Sequence, residues 1–330
     1  MRIVVLAADP AHEASRARDN GEAFLQRGLS RLQATVTAVT SVLQGDGHAV
    51  MPLPANPDLP GAIARAAPDL VFNTYFGPAR REDQAHVASL LEYAGVPFSG
   101  PAAACHFVGL SKPLSKWVLS AAGLPTAGFF VARAAADAAP GAEGADLRFP
   151  LIVKAPAEGE GIGLDERSVV TTRPELTAAV DRVIRGFSAP ALVEEFLPGR
   201  EFTVGVLDGE PPRVLPIMEI MVPPGGVFSF QAKTEDSIRE ACPAAIPDSH
   251  AEVMGQLAIR AGRAIGCRDY WRVDVRMDAE GSARVLEVNT LPGLQPGYSD
   301  ITRMLAPAGL SYPELVRAIL QSADARRTRP

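Results

Sequence analysis

Two stretches near the end of the chain, YWRVDVRMD (270–278) and ARVLEVNT (283–290), set Arg272 two residues from Asp274 and Glu287 two residues from Asn289. Side chains alternate faces along a strand with period two, so each pair projects from one side of its own strand. The intervening DAEG (278–281) has the composition of a turn. A hairpin is therefore expected, with the four polar groups on one sheet surface. Two carboxylates and an amide oxygen are hard donors of the kind that suit Mg²⁺, an ion that keeps waters and shares its shell with phosphates. A guanidinium beside them suits charge developing on a phosphoryl group. The same alternation also fits two ordinary amphipathic strands with solvated polar faces.

Three further stretches carry charge in suggestive places. Lys154 ends an apolar run and is followed by AEGEGIGLDE (157–166), with Gly159, Gly161 and Gly163. Glycines let backbone N–H groups wrap a polyphosphate, and a lysine adds a point charge. No Gly-Lys-Ser/Thr follows, so this is not a Walker A loop, and a hairpin turn with spare glycines fits equally well. Ser111-Lys112-Pro113-Leu114-Ser115-Lys116 opens a helix, where proline fits the first turn and an anion site is ready-made. Two solvated lysines on a surface helix are the alternative. In LVEEFLPGREFTVGV (192–206), Glu194 and Glu195 follow an apolar run and Glu201 follows the break Pro198-Gly199. A strand leaving into such a linker exposes backbone groups that an adenine edge can use, while a carboxylate can take ribose hydroxyls; a plain surface turn fits the segment too.

These groups need elements to hold them. A buried strand is expected at 3–8, a helix at 21–43, a turn at 45–47, a strand at 48–53, a short helix at 61–67, a strand at 69–75, a helix at 82–94 and a short strand at 96–100. Strands alternating with helices predict an α/β layer on an open parallel sheet. No G-x-G-x-x-G follows the first strand, so no dinucleotide site is supported. Beyond Pro101 come a helix at 113–122, strands at 126–132, 149–156 and 168–172, and a helix after Arg173-Pro174. Strands at 191–197, 201–207 and 213–220 follow, then a proline-glycine loop at 222–247 and a helix at 250–266 before the hairpin. Three units are expected, 1–100, a small α+β unit at 101–190, and 191–330.

The 330 residues exceed the usual single-domain size. Hydrophobic residues make up 47% and the net charge is −6, with no dominant basic patch, so nucleic acid is not an expected partner. The basic end, 325–330, reads as a frayed tail. Three widely separated cysteines without a C-x-x-C pair read as buried apolar residues in a reducing compartment, with no structural zinc. No apolar run nears the roughly 18 residues of a membrane span, and the first strand is too short for a signal-peptide core, so a cytosolic chain with no membrane partner is expected.

Taken in order, these pieces resemble the ATP-grasp superfamily and, within it, the D-alanine–D-alanine ligase family. The resemblance covers roughly 69–322 and rests on DLVFN (69–73), LLEYAGVPFSGP (90–101), Lys112 with AAGLPT (121–126), FPLIVKAPAEGEGIG (149–163), LVEEFLPGREFTVGVL (192–207), QAK (231–233), CPA (242–244), GCRDYWRVDVRMD (266–278), LEVNTLPGL (286–294) and AGLSYPELVRAIL (308–320). It implies an α/β, three-domain ATP-grasp fold: an N-terminal Rossmann-like open parallel sheet, a central small domain carrying the glycine-rich loop, and a C-terminal domain carrying the metal site. By match to the family, Lys112 and Lys154 contact the phosphates of ATP, and the loop 158–163, with Glu158, Gly159 and Gly161, folds over them. Glu194, Glu195, Phe196 and Leu197 form the adenine hinge and Glu201 takes the ribose. Lys233 is a further phosphate lysine, on a lid at about 222–241. Asp274, Glu287 and Asn289 match the Mg²⁺ ligands, for two ions with Mn²⁺ as the alternative. Arg272 matches the arginine that steadies the acyl phosphate and the tetrahedral intermediate. The family also implies small amino-acid or amine substrates and a homodimer formed through the N-terminal domain.

The departures from the family fall on the substrate side. Two loop serines are replaced by Glu160 and Gly161, and the tyrosine after the lid lysine by Thr234. Of two N-terminal glutamates, the first aligns with Ala11; a histidine aligns with Phe76, and a serine near Tyr298. Glu160 either attracts a cationic group on a different substrate or faces solvent. Phe76 and Tyr298 make the pocket more apolar or allow stacking. The expected activity is therefore an ATP-dependent carboxylate–amine ligase working through an acyl phosphate on substrates other than two D-alanines. The alternatives are a D-alanine–D-alanine ligase with a compensating pocket and an ATP-binding protein without ligase activity.

Overall fold

The computed structural model describes residues 1–17, 22–139, 141, 147–157, 164–221, 239–327 of the chain. The glycine-loop candidates Glu158, Gly159, Glu160 and Gly161, and Lys233 with most of the expected lid, lie outside the described residues.

The first sheet is parallel, in the order β2-β1-β3: β1 (Arg2–Ala8) lies between β2 (Ala49–Ala55) and β3 (Leu70–Phe72). Short α1 (Pro10–Arg16) starts at Asp9, whose carboxylate accepts from the Ala11 and His12 N–H groups. Sequence periodicity did not announce this helix. The long α2 (Glu22–Gly45) buries Leu25, Leu32, Val36, Val39 and Leu43 on one face, against β1 and β2. α3 (Leu59–Ala66) and α4 (Asp83–Tyr93) complete the layer. The expected strand at 69–75 is shorter, because Asn73 turns the chain: its Oδ1 accepts from Tyr75 N–H while its own N–H goes to Ser99 Oγ. The strand expected at 96–100 is reduced to a single parallel bridge between Val71 and Phe98.

Two helices follow, α5 (Ala103–Leu110), not expected from sequence, and α6 (Lys112–Ala121), capped by Ser111 with Pro113 in the first turn. A four-stranded sheet runs β4-β7-β5-β6, from β4 (Phe129–Ala132), β5 (Leu151–Lys154), β6 (Val169–Val170) and β7 (Ala191–Glu195). α7 (Arg173–Phe187) covers it, started by a reciprocal cap between Thr172 and Glu175.

The third sheet is built on β8 (Glu201–Leu207), with β9 (Arg213–Val214), β10 (Met218–Met221) and β11 (Arg239–Ala241) to one side. The strand expected at 213–220 is broken in two around Pro216, which has no N–H to give a ladder. β12 (Tyr270–Met277) and β13 (Ala283–Asn289) lie on the other side as the expected antiparallel hairpin. α8 (Asp248–Ile265) packs on this sheet and ends at Gly266 in the left-handed region, φ +93°. α9 (Asp300–Arg303) and α10 (Tyr312–Arg327) close the chain.

α10 returns to α2, so Leu315, Val316, Ile319 and Leu320 share one core with β1 and β3. The tail reading fails at 325–327: helix continues to Arg327, and Arg326 forms a two-pronged ion pair with the fully buried carboxylate of Asp269. The cysteines are not all apart either: Cys105 and Cys267 are buried free thiols with Sγ atoms 3.7 Å from each other. Among the described residues no helix is long and apolar enough to cross a membrane.

Candidate active site

The hairpin register sets Arg272 opposite Asn289 and Asp274 opposite Glu287, with an irregularity just after Asp274. On the other flank β8 places Gly205, Thr203 and Glu201 opposite Arg272, Asp274 and Arg276. One face of three strands thus becomes a polar ladder. Asp274 is its centre. Its Oδ1 accepts from Thr203 Oγ1 at 2.6 Å and from Arg272 Nε at 3.1 Å. Its Oδ2 accepts from Arg272 Nη2 at 3.0 Å and from Asn289 Nδ2 at 2.8 Å. Arg272 reaches Asp300 with its remaining arm, Nη1 to Oδ2 at 2.6 Å. Burial alone would favour neutral arginine, but Asp274 and Asp300 more than compensate and hold it charged.

Glu287 is paired with Lys112 from the start of α6, at 2.9 Å. Burial pushes its carboxyl up, but the Lys112 charge, with Arg81 and Arg272 behind it, outweighs burial and keeps it well below the ordinary carboxylate range. Asp274 moves the other way, upward, from burial and from the like charge of Glu287 beside it. Two carboxylates and an amide so close, neutralised here by an ammonium and a guanidinium, form a donor set that fits a divalent cation, with hard oxygen donors throughout.

A second charged knot lies on the four-stranded sheet. Glu194 of β7, fully enclosed, accepts from Lys116 at 2.6 Å on one oxygen and from Lys154 of β5 at 2.6 Å on the other. Burial would raise its pKa, but the two lysines bring it down to about 2. Lys116, 1% exposed, also donates to Thr126 Oγ1 at 2.6 Å, and burial lowers its own pKa against the pull of Glu194. Thr126 in turn bonds Val285 O on β13, so this contact joins the two sheets. Glu195 turns away: its side chain accepts from the Arg148 N–H at 3.3 Å. The N–H groups of Glu195 and Phe196 are taken by Gly128 O and Pro150 O.

Glu201 is buried and faces Arg276 at 3.4 Å. Burial outweighs that long ion pair and pushes the carboxyl up to about 7. Gly199 sits where a Cβ would meet Met277 backbone at 2.7 Å, so the turn between β7 and β8 can lie flat on the hairpin.

The ionised side chains of both knots, Lys116 excepted, border a single cavity of 760 Å³, lined by Lys112, Lys154, Glu194 to Leu197, Glu201, Arg272, Asp274, Glu287 and Asn289 among others. A family model described as "D-ala D-ala ligase C-terminus" matches residues 118–321. The chain is also 33% identical over 292 residues to a D-alanine–D-alanine ligase from Desulforudis audaxviator, covering 88% of this chain and 92% of that one. The chain belongs to the D-alanine–D-alanine ligase family. A second relative of that name, from Gluconobacter oxydans, is 36% identical over 296 residues, 88% of this chain and 93% of the relative. The crystal structure of a D-alanine–D-alanine ligase from Bacillus anthracis complexed with ATP has the same fold, with a TM-score of 0.75 over 99% of this chain and 98% of that one at 22% identity.

Within this family of ATP-dependent C–N ligases, the cavity also shows what the sequence motifs left out. Thr203 and Arg276 were legible as period-two neighbours on β8 and β12. Asp300 had no local signal; only the fold brings it to Arg272. The N-terminal glutamate that remains, Glu13, is 1% exposed and accepts from the Tyr75 hydroxyl and from Ala79 N–H. It anchors the turn after β3 from behind the pocket. That turn needs Gly77, φ +72°, where a Cβ would meet Arg80 O at 2.1 Å. At Tyr298 the ring is used for stacking, one of the two expected roles: the Arg31 guanidinium lies over it at 4.5 Å and donates to its hydroxyl.

Proposed function

We infer that this chain joins a carboxylate to an amine at the expense of ATP, through an acyl phosphate, and that its substrate pair is not two D-alanines. The observation that carries the reading is Arg272, held charged between Asp274 and Asp300 and aimed into a cavity that Lys112 and Lys154 also line. In-line attack of a carboxylate on the γ-phosphate creates negative charge on both sides of the phosphoryl group. Lys112 and Lys154 would take the phosphates once released from Glu287 and Glu194, and Arg272 the acyl-phosphate and tetrahedral oxygens. Divalent ions at Asp274, Glu287 and Asn289 would supply charge neutralisation of the triphosphate. With the N–H groups of Glu195 and Phe196 already taken, an adenine edge would use the hinge carbonyls and Leu197. With its carboxyl pushed up to about 7, Glu201 would offer ribose hydroxyls both an acceptor and, when protonated, a donor.

Support for substrates other than D-alanine comes from Phe76 and Tyr298 lining the cavity, and from the replacement of both loop serines and the lid tyrosine. The identity of about one third, over most of the chain, to proteins named D-alanine–D-alanine ligase favours the second reading, that of D-alanyl-D-alanine synthesis. ADP release with ATP and Mg²⁺, measured against D- and L-amino acids, dipeptides and amines with mass detection of the product, separates them. We expect turnover with an acid–amine pair that is not D-alanine alone. Turnover with D-alanine alone would establish the second reading, and tight ATP binding without any amide product would overturn both.

A further inference from the structure

One end of the cavity is bordered by α2 and by the loop 295–300, which leads into α9 beside Arg272. That loop is tied to itself. Ser299 N–H and Thr302 Oγ1 both donate to Gln295 O, at 3.1 and 2.9 Å, and Gln295 N–H donates to Ser299 Oγ at 3.1 Å. Asp300 is therefore presented on a fixed backbone. Its Oδ2 accepts from Arg272 Nη1 at 2.6 Å, and its Oδ1 has no partner among the described residues. The side chain is 28% exposed, at the cavity wall. Gln295 borders the same cavity, and its Oε1 is buried without a partner among the described residues. Glu287 on the same lining is met by Lys112 and Glu240 by Arg303, whereas Asp300 shares Arg272 with Asp274, which accepts from both Nε and Nη2.

Two unused acceptors thus lie in the loop beside the guanidinium that would face the acyl phosphate. A primary amine brings up to three N–H donors and, as an ammonium, the charge that a carboxylate attracts. We propose that Asp300 receives the amine substrate and takes its proton, with Gln295 Oε1 as a second acceptor. The proposal rests on the ligase reading and assigns the amine half of that reaction. An ammonium at Oδ1 has no lone pair until it gives a proton to Asp300, and the positive charge of Arg272 beside it favours that loss. The nitrogen lone pair then forms the C–N bond at the acyl carbon, and the carbonyl electron pair moves to the oxygen facing Arg272. When that pair returns, the C–O bond to phosphate breaks and phosphate leaves with its electrons. Of the two protons that the nitrogen gives up, one reaches solvent through Asp300 and the other goes to the departing phosphate.

The test separates the two halves of the reaction. Hydroxylamine is uncharged near neutral pH and attacks acyl phosphates directly, so hydroxamate reports the first half and amide reports both. D- and L-amino acids are offered as the acid to the full-length protein with ATP and Mg²⁺, first with hydroxylamine and then with D-alanine, glycine or methylamine. The carboxamide of Asp300→Asn can still accept from Arg272 but cannot take a proton. The ratio of amide to hydroxamate rates is expected to fall by about 10²-fold from wild type to Asp300→Asn. An unchanged ratio, even with both rates lowered, would make Asp300 only a support for Arg272; it would overturn the proposal and leave the ligase reading standing. Where hydroxamate forms and none of these amines is joined, competition decides. The amines should slow hydroxamate formation in wild type and lose that effect in Asp300→Asn; competition that persists in the variant, or none in wild type, overturns the assignment. Neither hydroxamate nor amide with any acid would count against the ligase reading itself, and the proposal would fall with it.

Discussion

Around β12, β13 and β7, buried or partly buried charges sit within hydrogen-bond distance of a counter-charge: Arg272 with Asp274 and Asp300, Lys112 with Glu287, and Lys154, with Lys116 behind it, with Glu194. At the α2 end the guanidinium of Arg31 lies against an aromatic ring, and Arg27 stands exposed. The first arrangement is costly to build and costly to break, because each buried charge depends on its partner. It suits a ligand whose charge is always the same, a triphosphate with its metal. The second is cheap to alter, since exposed ion pairs and rings contribute little to stability. It is where a scaffold can change substrates without endangering its fold.

The largest test of this contrast is Asp274→Asn. The amide keeps the size of the side chain and can still bond Thr203, while Arg272 keeps Asp300. It removes one hard anionic donor and the anchor of Arg272. ADP release in the presence of substrates should fall by about 10³-fold or more. Denaturant stability should fall by about 1–3 kcal/mol, because the buried Arg272 loses one of its two counter-charges while repulsion with Glu287 is relieved. Turnover at the wild-type rate would remove the metal assignment.

Lys116→Met separates the two ends by stability rather than rate. It strips a partner from a carboxylate enclosed in protein and should cost about 3–5 kcal/mol in urea unfolding. Arg31→Met should cost under about 1 kcal/mol. The pH dependence has a defined sign. The Glu194 pKa, depressed from 4.5 to about 2, means that its contribution is fully present above pH 4.5 and is lost as pH falls through 2. In Lys116→Met that loss should set in at higher pH. Similar unfolding midpoints for the two methionine variants would show that the buried knot carries no special weight.

The unequal legibility of the two ends follows from the same physics. The residues proposed to hold the metal lie on neighbouring strands, where period two sets the face of each pair and the hairpin turn brings the pairs Arg272 with Asp274 and Glu287 with Asn289 together. Lys154 and Glu194 were legible as residues at strand ends, but not their mutual contact, because β5 and β7 are separated by α7 and pairing register is a tertiary property. The α2 end was the least legible. Arg27 and Arg31 sit on a helix that reads as an ordinary amphipathic element, and Tyr298 lies 267 residues from Arg31. Asx turns and single bridges shortened the strands expected at 69–75 and 96–100, since side-chain bonds from Asn73 and Ser99 compete with the ladder.

Glu201→Gln probes the buried end most gently. The carboxyl titrates near 7 in the fold against an ordinary 4.5, so the folded state binds this proton more tightly than the unfolded chain. Stability from this group is therefore full below pH 4.5, declines as pH rises toward 7, and is flat above, a loss on the order of 3 kcal/mol across the window. Glutamine cannot titrate and should remove that slope, so the difference between wild type and variant should move in favour of the variant from pH 4.5 to 7. Urea unfolding at several pH values measures it directly. Parallel curves would mean that Arg276, at 3.4 Å, keeps Glu201 ionised after all. The ribose would then meet a permanent acceptor, and the buried end would be charged and paired throughout, in still sharper contrast to the α2 end.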